Sequence, residues 1–159
     1  LEHLSLAEVG AVQTFDSLNY YLAKHAVYMR DQPAVARVYA DSLLQAVTRS
    51  TTLAGPLAWH KAALLALGYA ATGDQAKAMR ELAQVHAEMA AAKGLVLSDS
   101  AQRYQDIAAT FGLLGNADSA AVYVKELFRL PGGFSKFTVR LDPTFDPVRN
   151  SPAFQRLLQ

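Results

Sequence analysis

The feature that most constrains this chain is a fixed spacing between three short polar breaks. The breaks read MRDQPAVA, ATGDQAKA and LLGNADSA, and they place Asp31, Gly73 and Gly115 at successive intervals of 42 residues. The same offset superposes three sets of apolar positions, which are Val27, Tyr69 and Phe111, then Ala36, Ala78 and Ala120, then Leu43, Val85 and Leu127. A constant offset between matched small and large residues predicts three helix–turn–helix units.

The breaks carry the chemistry of helix ends. Gly73 and Gly115 suit the left-handed conformation that ends many helices, and Asp74 and Asn116 suit the capping position of the helix that follows. In the first unit Asp31 replaces the glycine. Between the breaks, apolar residues recur three and four apart, which predicts amphipathic helices.

Ser5 and Glu8 form a capping box, which predicts an N-terminal helix over residues 5–16. We therefore expect a single domain with this helix, unit 1 over 17–52, unit 2 over 57–95, unit 3 over 99–130 and a C-terminal cap over 131–159. Because the chain begins with LEHLSL rather than Met, we expect it to be part of a longer protein.

Composition supports a helical domain and excludes several functions. Of 159 residues, 52% are apolar, 18% are charged and 29 are alanine, which favours closely packed helices. A net charge of +1 argues against a nucleic-acid partner. The chain has no Cys, so disulfides and thiolate metal sites are excluded. The run AALLALGYAATG has 12 residues where a membrane span needs about 20, so we expect no membrane insertion.

Residues 131–159, called the tail below, change in character. Pro131 and two glycines cannot continue a helix, and FTVRL (137–141) is β-like and isolated. Asp142, Asp146 and Ser151 each precede a proline, the order expected of a capping residue and the first helical position. We predict short turns and a last helix, PAFQRLLQ, with Arg140 and Arg149 paired to the aspartates or to the last repeat. The apolar residues expected to cover the end of the stack are Phe145, Val148, Phe154, Leu157 and Leu158.

The repeat resembles the tetratricopeptide repeat (TPR). The residues that carry this resemblance are Leu65, Ala66, Tyr69, Gly73, Asp74 and Ala78 in unit 2, and Ile107, Ala108, Phe111, Gly115, Asn116 and Ala120 in unit 3. Two departures are the period of 42 residues, against about 34 in the standard unit, and Lys24 at a position for a small residue. The resemblance implies an all-α fold, a right-handed α-α superhelix (TPR-like solenoid) of about three helical hairpins with a C-terminal cap.

The tail is similar to the C-terminus of TPR domains that end bacterial multidomain regulators, including serine/threonine protein kinases and nucleotide cyclases. The matching segments are Val139–Leu141, Asp142–Pro143, Phe145–Arg149 and Pro152–Leu158. This similarity implies a non-catalytic protein–protein interaction or scaffolding module at the C-terminus of a larger bacterial signalling protein. Its partner would be a protein, a peptide, or the preceding domains of the parent chain.

The resemblance also implies a partner-binding groove lined by the first helix of each unit. The implied positions are Leu18, Tyr21, His25, Tyr28 and Met29, then His60, Ala63, Leu67 and Ala71, then Gln102, Gln105, Ala109 and Leu113. For the first set, the alternative is that these residues pack against the N-terminal helix. Lys24 and Lys61 are too sparse for a basic clamp, which disfavours an acidic C-terminal tail as the partner. A second alternative for the function is self-association of the parent protein as a homodimer.

Catalysis has little support in the sequence. Asp142 and Asp146 could form an acid–base pair in a hydrolase, but capping explains both residues. His3, His25, His60 and His86 lack the spacing of a metal site. We therefore expect no catalytic residues, no metal and no cofactor.

Overall fold

The computed structural model describes residues 14–50, 53, 58–91, 97–130 and 134–159. These residues form helices and turns, with no strand among them, so the all-α prediction is confirmed for the described part. The helices are α1 (Thr14–Tyr28), α2 (Pro33–Arg49), α3 (Ala58–Ala71), α4 (Gln75–Ala91), α5 (Leu97–Leu113), α6 (Ala117–Arg129), α7 (Lys136–Leu141), a 3₁₀ turn (Pro143–Phe145) and α8 (Pro152–Leu158). Most of the predicted N-terminal helix, including Ser5 and Glu8, lies outside the described residues.

The second and third breaks form the same turn. Gly73 and Gly115 have φ angles of 82° and 72°, the left-handed region predicted for them. The amide of Asp74 donates to the carbonyl of Tyr69 at 2.8 Å, which closes the end of α3. The side chains of Asp74 and Asn116 each accept the N–H of the residue three positions later at 3.1 Å. Both predicted caps are therefore confirmed.

The first break is built differently. Four residues, 29–32, separate α1 from α2, whereas three separate α3 from α4 and α5 from α6. Asp31 has no positive φ, and Gln32 precedes α2 without a side-chain cap. The extra residue breaks the 42-residue register before the turn, so Val27, superposed on Tyr69 in the sequence, is 69% exposed. After the turn the register holds, because Ala36 is buried like its counterparts in α4 and α6.

Helices that follow one another in the chain pack in pairs: α1 with α2, α3 with α4, and α5 with α6. In addition, α3 contacts both α2 and α5, which joins the pairs into one body. A larger core joins α3–α6 to the tail, and a smaller core joins Leu18, Leu43, Val47, Leu53 and Leu64. None of the described helices is long and apolar enough to cross a membrane.

The segment FTVRL is helical rather than β-like. It forms most of α7, and Ser135 caps this helix by accepting the N–H of Thr138 at 3.1 Å. The β-like expectation was wrong because a lone strand would leave its N–H and C=O groups unpaired, whereas a helix pairs them locally. Val139 is buried in the larger core as a result.

The rest of the tail packs as predicted. Phe145, Val148, Phe154 and Leu158 are buried in the larger core, and Leu157 is partly buried against it. The 3₁₀ turn contacts α5, and α8 contacts α6. The tail therefore covers the end of the last helix pair.

Asp146 does not cap the start of a helix, which corrects one prediction; it follows the 3₁₀ turn, and its amide donates to the carbonyl of Pro143 at 3.0 Å. Asp142 and Ser151 accept N–H groups from Thr144 and Phe154 at 2.9 and 3.2 Å, as expected. Asp146 instead has helical dihedral angles (φ −56°, ψ −41°), which do not suit a capping residue. Its carboxylate accepts hydrogen bonds from Arg30 and from Arg149.

Candidate functional site

A cavity of about 310 Å³, called the inner cavity below, lies between α1, α2, α3, α5 and the tail. The predicted groove residues His25, Leu67, Ala71, Gln102, Gln105, Ala109 and Leu113 line it. Met29 lies beside it, in a smaller cavity of about 230 Å³ that also contacts His25 and Leu113. Residues of the first helix of each pair, α1, α3 and α5, therefore line one cavity.

The remaining predicted groove residues lie elsewhere. Leu18 and Ala63 are buried in the two cores, and Tyr21 packs against the smaller core. The ring of Tyr28 stacks on Tyr39 of α2, with centroids 5.7 Å apart and planes at 6°. These side chains hold α1 against α2 and do not line the inner cavity.

His60 also lies outside the inner cavity. Its ring stacks on that of Trp59, with centroids 5.1 Å apart. Burial lowers the pKa of His60, which favours its neutral form.

His25 lines the inner cavity and has one unpaired ring nitrogen. The residue is 7% exposed, and its Nδ1 lies 3.0 Å from the carbonyl oxygen of Ala36. A carbonyl can only accept, so Nδ1 carries the proton that is donated. Among the described residues Nε2 has no hydrogen-bond partner, and in the neutral ring it is an acceptor.

Asp106 lines the inner cavity and was not among the predicted groove residues. This residue of α5 is 4% exposed, and its Oδ1 accepts a hydrogen bond from Gln102 Nε2 at 2.8 Å. Its Oδ2 is buried and has no partner among the described residues. Burial raises the pKa of Asp106 to about 7, and the hydrogen bond from Gln102 offsets only part of this rise.

A signal for Asp106 was present in the sequence. It lies four residues after Gln102 and three before Ala109, two predicted groove positions, so all three share one face of α5. It is also a lone carboxylate beside the apolar stripe of Ile107, Ala108 and Phe111. A charged residue on a predicted binding face, such as Asp106, indicates a candidate for contact with a ligand.

Arg103, one turn before Asp106, does not neutralise it. Its guanidinium lies over the ring of Trp59, 4.2 Å from the centroid. The side chain is buried, and its Nε and Nη1 have no hydrogen-bond partner among the described residues. The cation closest to Asp106 in sequence is thus directed to an aromatic ring.

The tail closes one side of the inner cavity through Asp142 and Thr144. Asp142 Oδ1 accepts hydrogen bonds from the Thr144 amide at 2.9 Å and hydroxyl at 2.7 Å. Asp146 accepts hydrogen bonds from Arg30 and Arg149 instead, so the two carboxylates of the tail have different partners. Within the described ranges, no three His, Asp or Glu side chains come together as a metal site.

The inner cavity combines an apolar lining with a few buried polar groups, which is typical of pockets that bind a ligand or a side chain. No protein-family model, curated protein or solved structure matches the chain.

Proposed function

We propose that this chain is a non-catalytic, TPR-like protein-interaction module, in which a partner segment binds over the inner helices and inserts a side chain into the inner cavity. One observation carries the proposal. Residues of α1, α3 and α5 that a partner-binding groove would use line a single cavity with leucine, alanine and amide walls. Such a mixture of apolar surface and few polar groups is typical of recognition sites.

The turns and the small residues support the same class of fold. Left-handed glycines end α3 and α5 at an interval of 42 residues, and buried alanines follow each break. Small residues at these positions let paired helices approach closely, which a stack of helical hairpins requires.

The size of the inner cavity limits what enters it. A volume of about 310 Å³ is at the lower end of the range for ligand pockets. It suits a side chain rather than a whole helix, and the tail covers one side of it. The partner is therefore a short segment that anchors one residue, either in another protein or in preceding domains of a larger bacterial regulator.

A filled-cavity variant tests this function. Peptides that bind the chain would be selected from a random seven-residue display library and their affinities measured by fluorescence polarisation. Ala71→Trp fills the inner cavity from α3, whereas Ala87→Trp adds the same ring to an exposed position of α4. We expect Ala71→Trp to weaken binding at least tenfold and Ala87→Trp to leave it unchanged, with both variants helical by circular dichroism. Failure to select any peptide, or equal binding by Ala71→Trp, would contradict the proposal.

Self-association is a second candidate, favoured by an outer surface. A shallow cleft between α6 and α8 contains Ala121, Val122 and Leu157, and Val122 is largely exposed. Light scattering over a hundredfold range of concentration should show a dimer if this cleft pairs parent proteins. Val122→Asp should then give a monomer, and a constant monomer mass for the unmodified chain would exclude this candidate.

A further inference from the structure

The inner cavity contains hydrogen-bond acceptors that nothing in the described residues satisfies. Asp106 Oδ2 and His25 Nε2 are both buried and unpaired, and both side chains line the cavity. They come from different helices, α5 and α1, on walls of one cavity. Buried polar atoms in folded proteins are nearly always paired with protein or with water, so two unpaired acceptors in one cavity favour an occupant that donates hydrogen bonds.

The lining of the inner cavity contains two carboxyl groups. Asp106 and Asp142 both line it, and no lysine or arginine is among its described lining residues. Arg103 is held over Trp59, and Arg30 and Arg149 are held by Asp146. These three arginines are thus engaged elsewhere, so a positive charge inside the cavity would come from a ligand.

The walls are aliphatic. Leu22, Leu43, Leu67 and Leu113 line the inner cavity together with several alanines. An apolar cavity with carboxyl groups and an imidazole nitrogen suits a side chain that has a long aliphatic part and ends in a cation.

We propose, resting on the function proposed above, that the inner cavity selects a basic residue of the partner segment. The ammonium or guanidinium group of a lysine or arginine donates to Asp106 Oδ2 and His25 Nε2, and its aliphatic stem lies along the leucines. Asp142, at the tail side, adds a second negative charge. Asp106 destabilises the empty fold because its carboxyl group is buried, and a bound cation compensates for this burial.

The test uses seven-residue peptide pools, capped at both ends and labelled with fluorescein, in which only the central residue is fixed. The central residue is lysine, arginine, glutamine, norleucine or glutamate in the five pools. We expect the lysine or arginine pool to bind at least tenfold more tightly than the norleucine and glutamine pools. Norleucine is the informative comparison, because it keeps the aliphatic stem and removes the charge.

Two matched variants assign the preference to the inner cavity. Asp106→Asn keeps the shape of the side chain and should reduce binding of the basic pools to the norleucine level. Asp41→Asn removes the same charge from an exposed position of α2 and should leave binding unchanged. Asp142→Asn retains an acceptor for Thr144 and should weaken the basic pools about two- to fivefold. Circular dichroism of each variant establishes that it is folded.

The outcomes separate this inference from the function on which it depends. If the norleucine or glutamate pool binds best, or if Asp106→Asn binds the lysine pool as tightly as the unmodified chain, the basic-residue pocket is wrong. If Ala71→Trp nevertheless abolishes binding of whichever pool the unmodified chain binds best, the proposed interaction function is supported without the preference for a basic residue. If no pool binds, both proposals fail. If free n-butylammonium competes with the lysine pool at equal concentration, the cavity binds small amines rather than a peptide side chain.

Discussion

Arg30 and Asp146 lie 116 residues apart in the chain and form a two-point ion pair. The Nε and Nη2 atoms of Arg30 lie 2.6 and 3.0 Å from the two carboxylate oxygens of Asp146. Arg30 is in the turn after α1 and Asp146 is in the tail, so this pair joins the first helix pair to the last part of the chain.

Asp146→Asn should therefore lower stability, although the capping argument from sequence would have allowed it. The hydrogen bond from Arg30 is the largest influence that holds the pKa of Asp146 below its usual value. Its contribution is present above pH 3.8 and is lost as the pH falls through the lowered value. Allowing for solvent exposure, we expect a loss of about 1 kcal/mol at pH 7, measured by urea unfolding.

A double-mutant cycle assigns that loss to the ion pair. Arg30→Gln should be less damaging in the Asp146→Asn background than in the unmodified chain. Additive effects would show that the pair does not stabilise the fold.

Phe154→Ala should destabilise the chain by about 3–5 kcal/mol, because it leaves a cavity in the larger core. Phe154 is fully buried, and its ring lies 5.4 Å from that of Phe145. Phe137→Ala is the control, since Phe137 is 69% exposed on α7. Thermal unfolding of both variants measures the difference, and similar melting temperatures would refute the covering role of the tail.

Gly112→Ala should destabilise the chain by about 1–3 kcal/mol, even though alanine favours helices. A methyl group at position 112 of α5 would lie 2.8 Å from the backbone oxygen of Thr144 and 2.9 Å from Phe145. Gly68→Ala in α3 makes a useful comparison, because its methyl group would meet only side-chain atoms of Leu44 and Leu43. Calorimetry should show the larger loss for Gly112→Ala, and an increase in its stability would mean that the tail does not press on α5.

Asp106→Asn should stabilise the empty protein in a pH-dependent way. The pKa of Asp106 is about 7 in the fold, against 3.8 for the unperturbed group. Between these values the unfolded chain releases a proton that the folded chain retains, so the free energy of unfolding falls as the pH rises. The corresponding loss is at most about 4 kcal/mol and is complete above pH 7.

Urea unfolding of both proteins at pH 4, 5, 6, 7 and 8 measures this effect. The advantage of Asp106→Asn should grow from pH 4 to pH 7 and then level off. His25 and Asp142, the titratable groups that face the inner cavity from α1 and the tail, are present in both proteins, so the difference isolates Asp106. An advantage that does not vary with pH would contradict the burial of its carboxyl group.

The structural features that the sequence predicts best are those that depend on residues close together in the chain. The glycine turns, the caps at Asp74 and Asn116 and the small residues of the second helices depend on nearby residues, and the structure contains them. Two expectations were wrong, namely the register of Val27 before the first turn and the β-like character of FTVRL. Both errors have local physical causes. One extra residue shifts the register of α1, and a segment without a strand partner pairs its backbone as a helix.

The candidate site was predictable in outline only. The resemblance to the TPR implies the groove positions of α3 and α5, and most of them line the inner cavity. The contribution of the tail was not predictable, because the contacts of Asp142, Thr144 and Asp146 depend on where distant segments meet. The same holds for Leu18, whose burial depends on how α1 rests on α2.

The position of the tail has a consequence for how the protein matures. The helix pairs are built from nearby residues and can form as each one leaves the ribosome, since local contacts form early. The wall that contains Asp142 and Thr144 follows all three helix pairs in the chain, so the inner cavity is completed only after those pairs have been synthesised. A nascent chain therefore acquires its helix pairs before it acquires the inner cavity, and removal of residues 142–159 would leave helical protein in which one wall of that cavity is missing.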